Sequence, residues 1–138
     1  MTAQLNTFNA LSTDLLLGKH IIGTSVFKVL LTDTAPVATN AVKADVTEIA
    51  AANGYSAGGP TTTVTKSLTG TTTKLVATDV TVTATGAIGP FRYVVLYNST
   101  FSGNPLVCWA DYGSEITMAN TDTFTVHFDA TNGITTVG

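Results

Sequence analysis

Charged residues are scarce in this chain of 138 residues. Lysine and arginine number 6 and aspartate and glutamate 9, so charged side chains make up 11% of the sequence, against about 25% in an ordinary soluble domain. Threonine, with 28 residues, is far more common. A net charge of −3 without a basic run leaves nothing to neutralise a series of phosphates, which excludes nucleic acid as a partner.

Disulfides, membrane spans and export signals are also missing. The single cysteine, Cys108, permits neither an intrachain disulfide nor a thiolate cluster for a metal. The nearest approach to a membrane span, LLLGKHII at 15–22, is interrupted by Gly18, Lys19 and His20, whereas a span needs roughly 18 apolar residues. The opening MTAQLNTFNA has no basic region followed by an apolar block. We therefore expect no membrane partner, no signal peptide and assembly in the cytoplasm.

The first 18 residues are the only part with a helical pattern. Phe8, Leu11, Leu15 and, one position on, Leu16 recur at three- and four-residue spacing, which predicts a short amphipathic helix that ends at Gly18. Such a helix could be a lid over one end of the core or an arm that docks on a neighbouring subunit. We therefore divide the chain into an N-terminal helix or arm, 1–20, and a β-sandwich domain, 21–138.

From residue 24 onward, β-branched and aromatic residues dominate, in stretches separated by Gly, Pro and Asn. The candidate strands are 25–32, 61–69, 73–84, 91–99, 105–111, 114–118 and 123–129. They predict a mainly β, single-domain fold: an antiparallel β-sandwich or small barrel of about seven strands with a short N-terminal helix. In 80–85 and 123–129 apolar residues alternate with polar ones, mainly threonine, which predicts a solvated threonine face.

Two further segments stand out. Segment 91–97 has apolar residues on both faces, which predicts the central strand of a sheet. Segment 41–53 is ambiguous, because its alanines favour a helix while DVTEI alternates as a strand would. The glycine-rich loop NGYSAGGP at 53–60 follows it, and the tyrosine in its centre, Tyr55, is a candidate contact.

No catalytic constellation is evident. His20 and His127 are the only imidazoles and no GxSxG motif occurs, so a hydrolase triad is not supported and both histidines are expected to be structural or surface residues. Asp111 and Glu115 in WADYGSE are the only acid pair beside aromatics, as a glycosidase would need. A turn between strands is the simpler interpretation. We expect no enzyme activity.

The aromatic residues of the same segment suggest a second use. Trp109 and Tyr112 could stack on sugar rings without catalysis, although buried tryptophan and tyrosine more often belong to a core.

Two short motifs have simple interpretations. FDATNG at 128–133 resembles a fragment of a calcium loop, but Asp129 is its only acid, so we expect a turn closed by Asn132 and Gly133 and no metal or cofactor. The segment Asn98–Thr100 matches the N-glycosylation pattern, which has no consequence without a secretory signal.

Six blocks spread over nearly the whole chain form a characteristic set. They are FNALSTDLLLGKH at 8–20, the strand at 25–32 followed by TAPVATN, VTEIAAANGYSAGG at 46–59, IGPFRYVVLYN at 88–98, WADYGSEITM at 109–118 and TFTVHFDATNG at 123–133. This set resembles a family of small structural proteins of tailed bacteriophages. The resemblance implies a virion structural protein, with no catalytic residues to transfer.

The resemblance leaves the place in the virion open. A head decoration, or cement, protein binds the outer surface of the capsid lattice, often as a trimer, with the major capsid protein and copies of itself as partners. A tail component would lie in a tube, an adaptor or a fibre. We favour decoration, because interface centres are depleted in charged residues and this surface has few. A carbohydrate-binding module displayed on the virion is a further alternative.

Six residues are the candidate interaction residues. They are Phe8, Leu11, Leu15, Tyr55, Trp109 and Tyr112. The first four are expected to contact neighbouring subunits, although each could equally belong to the core, and the last two would contact sugars.

Overall fold

The computed structural model describes residues 5–128, 131 and 133–137. Its elements are β1 (Asn6–Thr7), α1 (Ala10–Leu16), β2 (Phe27–Thr32), a 3-10 turn (Lys43–Asp45), β3 (Thr61–Thr62), β4 (Val64–Thr69), β5 (Thr72–Ala77), β6 (Val80–Thr83), β7 (Ile88–Asn98), β8 (Leu106–Met118), β9 (Thr123–Val126) and β10 (Thr135–Val137). The chain is a mainly β, sandwich-like single domain with a short helix near the N-terminus, which confirms the predicted fold class. Asp129 and Asn132, the residues of the calcium-loop comparison, lie outside the described residues.

The strands form antiparallel sheets of five, three and two strands. Their orders are β1-β8-β7-β2-β3, β10-β5-β4 and β6-β9. β7 lies in the middle of the largest sheet, which confirms the prediction for 91–97. Val94 and Leu96 belong to one cluster of buried residues, and Val95 and Tyr97 belong to another. Both faces of β7 are therefore covered, as its two apolar faces require.

The main core lies between the five-stranded sheet and the two smaller sheets. Val29 and Leu96 of the large sheet share one buried cluster with Leu75 of the three-stranded sheet and with Val82 and Phe124 of the two-stranded sheet. A smaller cluster covers the other face of the large sheet. It consists of Phe8, Leu30, Val95, Tyr97 and Leu106.

The predicted threonine faces are confirmed. Val82 pairs with Phe124 across β6 and β9, and both are buried. On the opposite face the hydroxyls of Thr81 and Thr125 lie 3.0 Å apart. Threonine therefore provides the polar side of this small sheet, and cross-strand Thr–Thr contacts stabilise it.

Two strand boundaries differ from prediction. Segment 73–84 divides into β5 and β6, which belong to different sheets. The division falls at Asp79, whose carboxylate accepts from the Phe128 backbone N–H at 2.9 Å and lies 2.8 Å from His127 Nδ1. Conversely, 105–111 and 114–118 form one strand, β8, because Gly113 adopts a φ of +99° and lets the chain continue through the expected turn.

The N-terminal segment lies on the sheet, as the lid alternative expects. β1 pairs with Cys108 and Trp109 of β8, and the Phe8 N–H donates to the Val107 carbonyl at 3.2 Å. The helix is shorter than the pattern indicated, because this strand pairing occupies the residues before Ala10.

Segment 41–53 is neither helix nor extended strand. It contains the 3-10 turn and two isolated bridge residues, Val42 and Ala52. In the turn, the Asp45 carboxylate accepts from the backbone N–H groups of Ala41 and Val42. These bonds lower the pKa of Asp45. Further along, the Ile49 N–H donates to the Leu31 carbonyl at 3.0 Å. The segment therefore lies against the large sheet and covers it.

Candidate interaction surface

Five large apolar side chains are exposed at the end of α1 and on two adjacent segments. Leu16 is 89% exposed, Leu17 66% and Ile21 54%. Val26 and Phe101 are exposed as well. We call these five side chains the apolar end surface. Single exposed apolar residues are ordinary on a protein surface, whereas several on adjoining segments mark a possible interaction site.

Backbone hydrogen bonds bring the segments together. Ile21 and Ser25 close a turn, with the Ser25 N–H donating to the Ile21 carbonyl at 2.8 Å and the Ile21 N–H to Ser25 Oγ at 3.1 Å. The Val26 N–H donates to Thr100 Oγ1 at 2.7 Å, and the Ser99 N–H donates to the Val26 carbonyl at 2.8 Å. The turn that carries Ile21 is therefore fixed beside the loop that carries Phe101.

Asn98, the last residue of β7, lies beneath this surface and forms hydrogen bonds to the segment that contains Ile21 and to the loop that contains Phe101. Its side chain is fully buried. Oδ1 accepts from the N–H groups of Thr100 at 2.9 Å and Phe101 at 3.2 Å. Nδ2 donates to the Lys19 carbonyl at 2.9 Å and lies 3.2 Å from His20 Nδ1. The glycosylation pattern therefore marks a structural asparagine, because its amide nitrogen is buried and already bonded.

His20 lies under the same surface. It is 5% exposed, and its ring stacks on Phe27 with centroids 5.9 Å apart. Its Nε2 is buried and has no hydrogen-bond partner. Burial lowers the pKa of His20, the nearby Asp14 carboxylate opposes this effect, and the Lys19 ammonium adds to it. Asp14 and Lys19 form an ion pair at 3.3 Å.

A second polar cluster holds the NGYSAGGP loop. Glu48 Oε2 accepts from Tyr55 Oη at 2.5 Å and from the Gly58 N–H at 2.6 Å, and Glu48 Oε1 lies 3.2 Å from Lys43 Nζ. Tyr55 Oη also accepts from the Leu31 N–H at 3.1 Å. Burial and the bond to Glu48 raise the pKa of Tyr55. Tyr55 was predicted to contact a partner, but its side chain is buried within its own domain.

The glycines of this loop let it lie close to the sheet. A Cβ on Gly59 would lie 1.8 Å from the Val29 carbonyl oxygen, and the residue has a φ of +79°. Tyr97 Oη donates to the Gly58 carbonyl at 2.7 Å. Because only glycine permits this approach, the glycine-rich sequence serves packing rather than recognition.

The three N-terminal candidates also face inward. Phe8 and Leu11 are buried, and Leu15 is half-buried against the main core. The structure brings them together, as the helical pattern predicted. They line a cavity of about 320 Å³ whose wall also includes Thr135 and Thr136. The prediction that Phe8 and Leu11 contact a partner does not fit this fold, because neither side chain reaches the surface.

Trp109 and Tyr112 do not form one stacking platform. Trp109 is half-buried and its ring lies 4.6 Å from that of Phe8, beside the smaller cluster. Tyr112 is 46% exposed and lies 5.9 Å from the ring of Phe124, which belongs to the main core. The two rings therefore pack against opposite sides of the large sheet.

Asp111 and Glu115, the acid pair noted in the sequence, interact with different side chains. Arg92 binds Asp111 through two hydrogen bonds of 2.8 and 3.0 Å, and the guanidinium lowers the pKa of Asp111. Glu115 lies beside Asp33 instead, and this neighbouring carboxylate raises the pKa of Glu115. Asp111 thus interacts with Arg92 on β7, and Glu115 with Asp33 after β2.

The apolar end surface was not predicted from the sequence, although a signal was present. Leu15, Leu16 and Leu17 are consecutive, and successive residues of a helix point about 100° apart, so three in a row cannot share one buried face. The helical pattern places Leu16 on the apolar face beside Leu15, but Leu16 is 89% exposed, so that part of the prediction is wrong. The role of Asn98 has no comparable signal, because it depends on contacts 78 and 79 residues away.

Metal-ligand groups and membrane-spanning helices are not found among the described residues. No group of three or more His, Cys, Asp or Glu side chains is arranged to hold a metal ion. Over the same residues, no helix is long and apolar enough to cross a membrane. No family model, curated protein or solved structure matches the chain.

Proposed function

We propose that this chain is a virion structural protein of a tailed phage that decorates the head, binding the outer surface of the capsid lattice and stabilising it. Its partners would be the major capsid protein and further copies of the chain, in an arrangement such as a trimer. The exposure of Leu16, Leu17 and Ile21 carries the proposal. Interface centres are typically apolar and poor in charge, and the family resemblance points to the same class of protein.

The surroundings of this surface support its use as an interface. Lys19 is the charged residue between Leu17 and Ile21, and its ammonium lies 3.3 Å from Asp14 and 5.9 Å from the ring centroid of Phe101. Its charge is therefore already paired before any partner binds. Because unpaired charges are costly to dehydrate, this arrangement lowers the cost of covering the surface.

Stabilisation would follow from mass action. A protein that binds the assembled shell and not its free subunits stabilises the shell by RT ln(1 + [L]/Kd), roughly 2.7 kcal/mol per site at a hundredfold excess over Kd. Heads with and without the bound chain should therefore rupture at different temperatures. Equal rupture temperatures would contradict the stabilising role.

A matched pair of variants tests the surface. Leu17 and Leu68 are each 66% exposed. Leu17 follows α1, whereas Leu68 lies on β4 of the three-stranded sheet. Heads prepared from a phage with the gene deleted are mixed with purified chain, sedimented and assayed for bound protein. Leu17→Gln should weaken binding about tenfold, as expected for a central interface residue, and Leu68→Gln should bind like the unmodified chain.

The other outcomes separate the remaining roles. Loss of binding in Leu68→Gln alone would move the interface to the β4 face. Failure of the unmodified chain to bind heads would contradict decoration, and gold-labelled chain found on tails by electron microscopy would establish a tail component. Binding of sugars by the isolated chain, lost in Tyr112→Ala, would instead favour the carbohydrate-binding alternative.

A further inference from the structure

We propose that His20 and Asn98 form an acid-sensitive latch, which holds the segment from Asp14 to Val26 against the sheet at neutral pH and releases it when the imidazole gains a second proton. The latch adds pH regulation to the surface that carries Leu16, Leu17 and Ile21. Its effect on binding rests on the proposed function. The latch itself is a property of the folded chain alone.

The hydrogen bonds of Asn98 determine which nitrogen of His20 carries the proton. Asn98 Oδ1 accepts from two backbone N–H groups, those of Thr100 and Phe101, so the opposite end of the amide must be the NH₂ group. That group lies 3.2 Å from His20 Nδ1. Nδ1 must therefore be the acceptor, and the neutral ring carries its proton on Nε2.

Protonation would place two donors face to face. A proton on Nδ1 would point at the Asn98 NH₂ group, and the amide cannot rotate without leaving the N–H groups of Thr100 and Phe101 without an acceptor. Nε2 offers no compensation, because it is buried without a partner. A charged ring at this position would thus be desolvated and in conflict with the side-chain amide that is its hydrogen-bond partner.

The other groups around His20 do not provide a counterion of their own. Asp14 on α1 is the nearby carboxylate, but it is paired with Lys19, whose ammonium also acts on the ring. On β2 the neighbour is the uncharged ring of Phe27, and on β7 it is the amide of Asn98. The closed segment therefore favours the neutral imidazole.

The sign of the pH dependence follows. Burial lowers the pKa of His20 in the closed segment, whereas the released segment would titrate near the ordinary value of about 6.5. Protons therefore bind preferentially to the open form. Above about pH 6.5 protonation does not weaken the closed form. Between that pH and the lowered pKa of the closed form, the open fraction increases by up to about tenfold for each pH unit.

Hydrogen exchange on the whole chain tests the latch. The Val26 N–H donates to Thr100 Oγ1 and the Ser99 N–H donates to the Val26 carbonyl. Both bonds join the segment to the loop after β7, so the exchange of these two amides reports its release. Mass spectrometry at pH 7.4 and 5.5 compares the unmodified chain with His20→Asn, whose side-chain oxygen can replace Nδ1 as acceptor but does not titrate. Comparison at equal pH cancels the intrinsic pH dependence of exchange.

The expected result is a loss of protection from pH 7.4 to pH 5.5, up to about tenfold, that His20→Asn does not show. His127→Asn, which removes the exposed histidine paired with Asp79, should behave like the unmodified chain. Equal protection in the unmodified chain and His20→Asn at both pH values would overturn the latch. If His20→Asn does not fold, nitrogen NMR of the unmodified chain decides: a neutral His20 ring carrying its proton on Nδ1 would overturn the proposal.

Binding to heads separates this proposal from the proposed function. Binding by the unmodified chain that weakens from pH 7.4 to 5.5, but stays constant in His20→Asn, supports both. No binding at either pH, with pH-dependent exchange, contradicts the decoration role and leaves the latch supported. Constant binding together with constant exchange contradicts the latch alone.

Discussion

Two irregular segments lie against the large sheet, and consecutive residues of β7 hold them. Tyr97 donates a hydrogen bond to a carbonyl of the loop segment, 41–60, and Asn98 donates one to a carbonyl of the helix-end segment, 14–26. Successive strand residues point to opposite faces, so two neighbouring side chains of β7 each anchor a different segment. The two anchored segments nevertheless differ in how completely their groups are satisfied.

The buried polar groups of the loop segment have hydrogen-bond partners, whereas one in the helix-end segment does not. In the loop segment the Glu48 carboxylate and the Tyr55 hydroxyl each have two or more partners, and none of the large exposed apolar side chains belongs to it. In the helix-end segment Leu16 and Leu17 are exposed and His20 Nε2 lacks a partner. Local costs of this kind are expected where a surface has a task besides folding.

The largest expected effect comes from glycines in the two segments. Gly59 in the loop segment and Gly23 in the helix-end segment both have positive φ, +79° and +91°. A Cβ on Gly59 would overlap the Val29 carbonyl, whereas Gly23 has open space around it. Gly59→Ala should destabilise the domain by about 4 kcal/mol, combining overlap and backbone strain, and Gly23→Ala by about 1 kcal/mol from strain alone.

Urea unfolding of the two glycine variants measures this difference. A destabilisation of Gly59→Ala no larger than that of Gly23→Ala would show that the loop segment is not closely packed on β2, and the contrast between the segments would fail.

The two anchors provide the next comparison. Asn98→Ala removes four hydrogen-bond contacts and leaves the N–H groups of Thr100 and Phe101 without their acceptor, so it should cost about 3 kcal/mol. Tyr97→Phe removes a single donor to the Gly58 carbonyl and should cost about 1 kcal/mol. Thermal unfolding of both variants checks the order, and an equal or reversed order would contradict the central role of Asn98.

Much of the fold could be predicted because it depends on patterns within single strands. The alternation in β6 and β9 and the two apolar faces of β7 are local properties, and both led to correct placements. The divided segment 73–84 was not predictable in this way. Its break depends on Asp79 binding a backbone N–H of Phe128, 49 residues away.

Prediction from local sequence patterns was less successful for the candidate site than for the strands. Phe8 and Leu11 were correctly grouped, but periodicity cannot say whether an apolar face packs on its own domain or on a partner. Tyr55 looked like an isolated loop tyrosine because its partners, Glu48 and Leu31, come from separate parts of the chain. Contacts of high sequence separation thus account for most of what was missed.

A smaller effect is expected at the centre of the loop segment. Tyr55→Phe removes the hydroxyl that donates to Glu48 and accepts from the Leu31 N–H. The buried N–H and a carboxylate oxygen each lose a partner, so the free energy of unfolding should fall by about 2 kcal/mol. Tyr112→Phe, which alters an exposed tyrosine, should change it little. Similar losses in both variants would mean that the Glu48 cluster does not stabilise the segment.

The two anchors are also expected to respond in opposite pH ranges. Burial and the nearby Glu48 carboxylate raise the pKa of Tyr97 to about 12. The unfolded chain loses this proton near pH 10 while the folded chain keeps it, so the folded state binds more protons and stability falls as pH rises from 10 to 12. The slope for this group is at most roughly 1.4 kcal/mol per pH unit, and solvent screening reduces it.

His20, the hydrogen-bond partner of Asn98, provides the control for the alkaline slope of stability against pH. Burial also raises the pKa values of Tyr55 and of Cys108, the latter to about 12, so part of the alkaline loss persists in every variant. Tyr97→Phe should reduce the slope, and His20→Asn should leave it unchanged while altering exchange only in acid. Unequal responses in opposite pH ranges would show that β7 holds an alkali-sensitive segment and an acid-sensitive one, whereas an unchanged slope in Tyr97→Phe would remove that distinction.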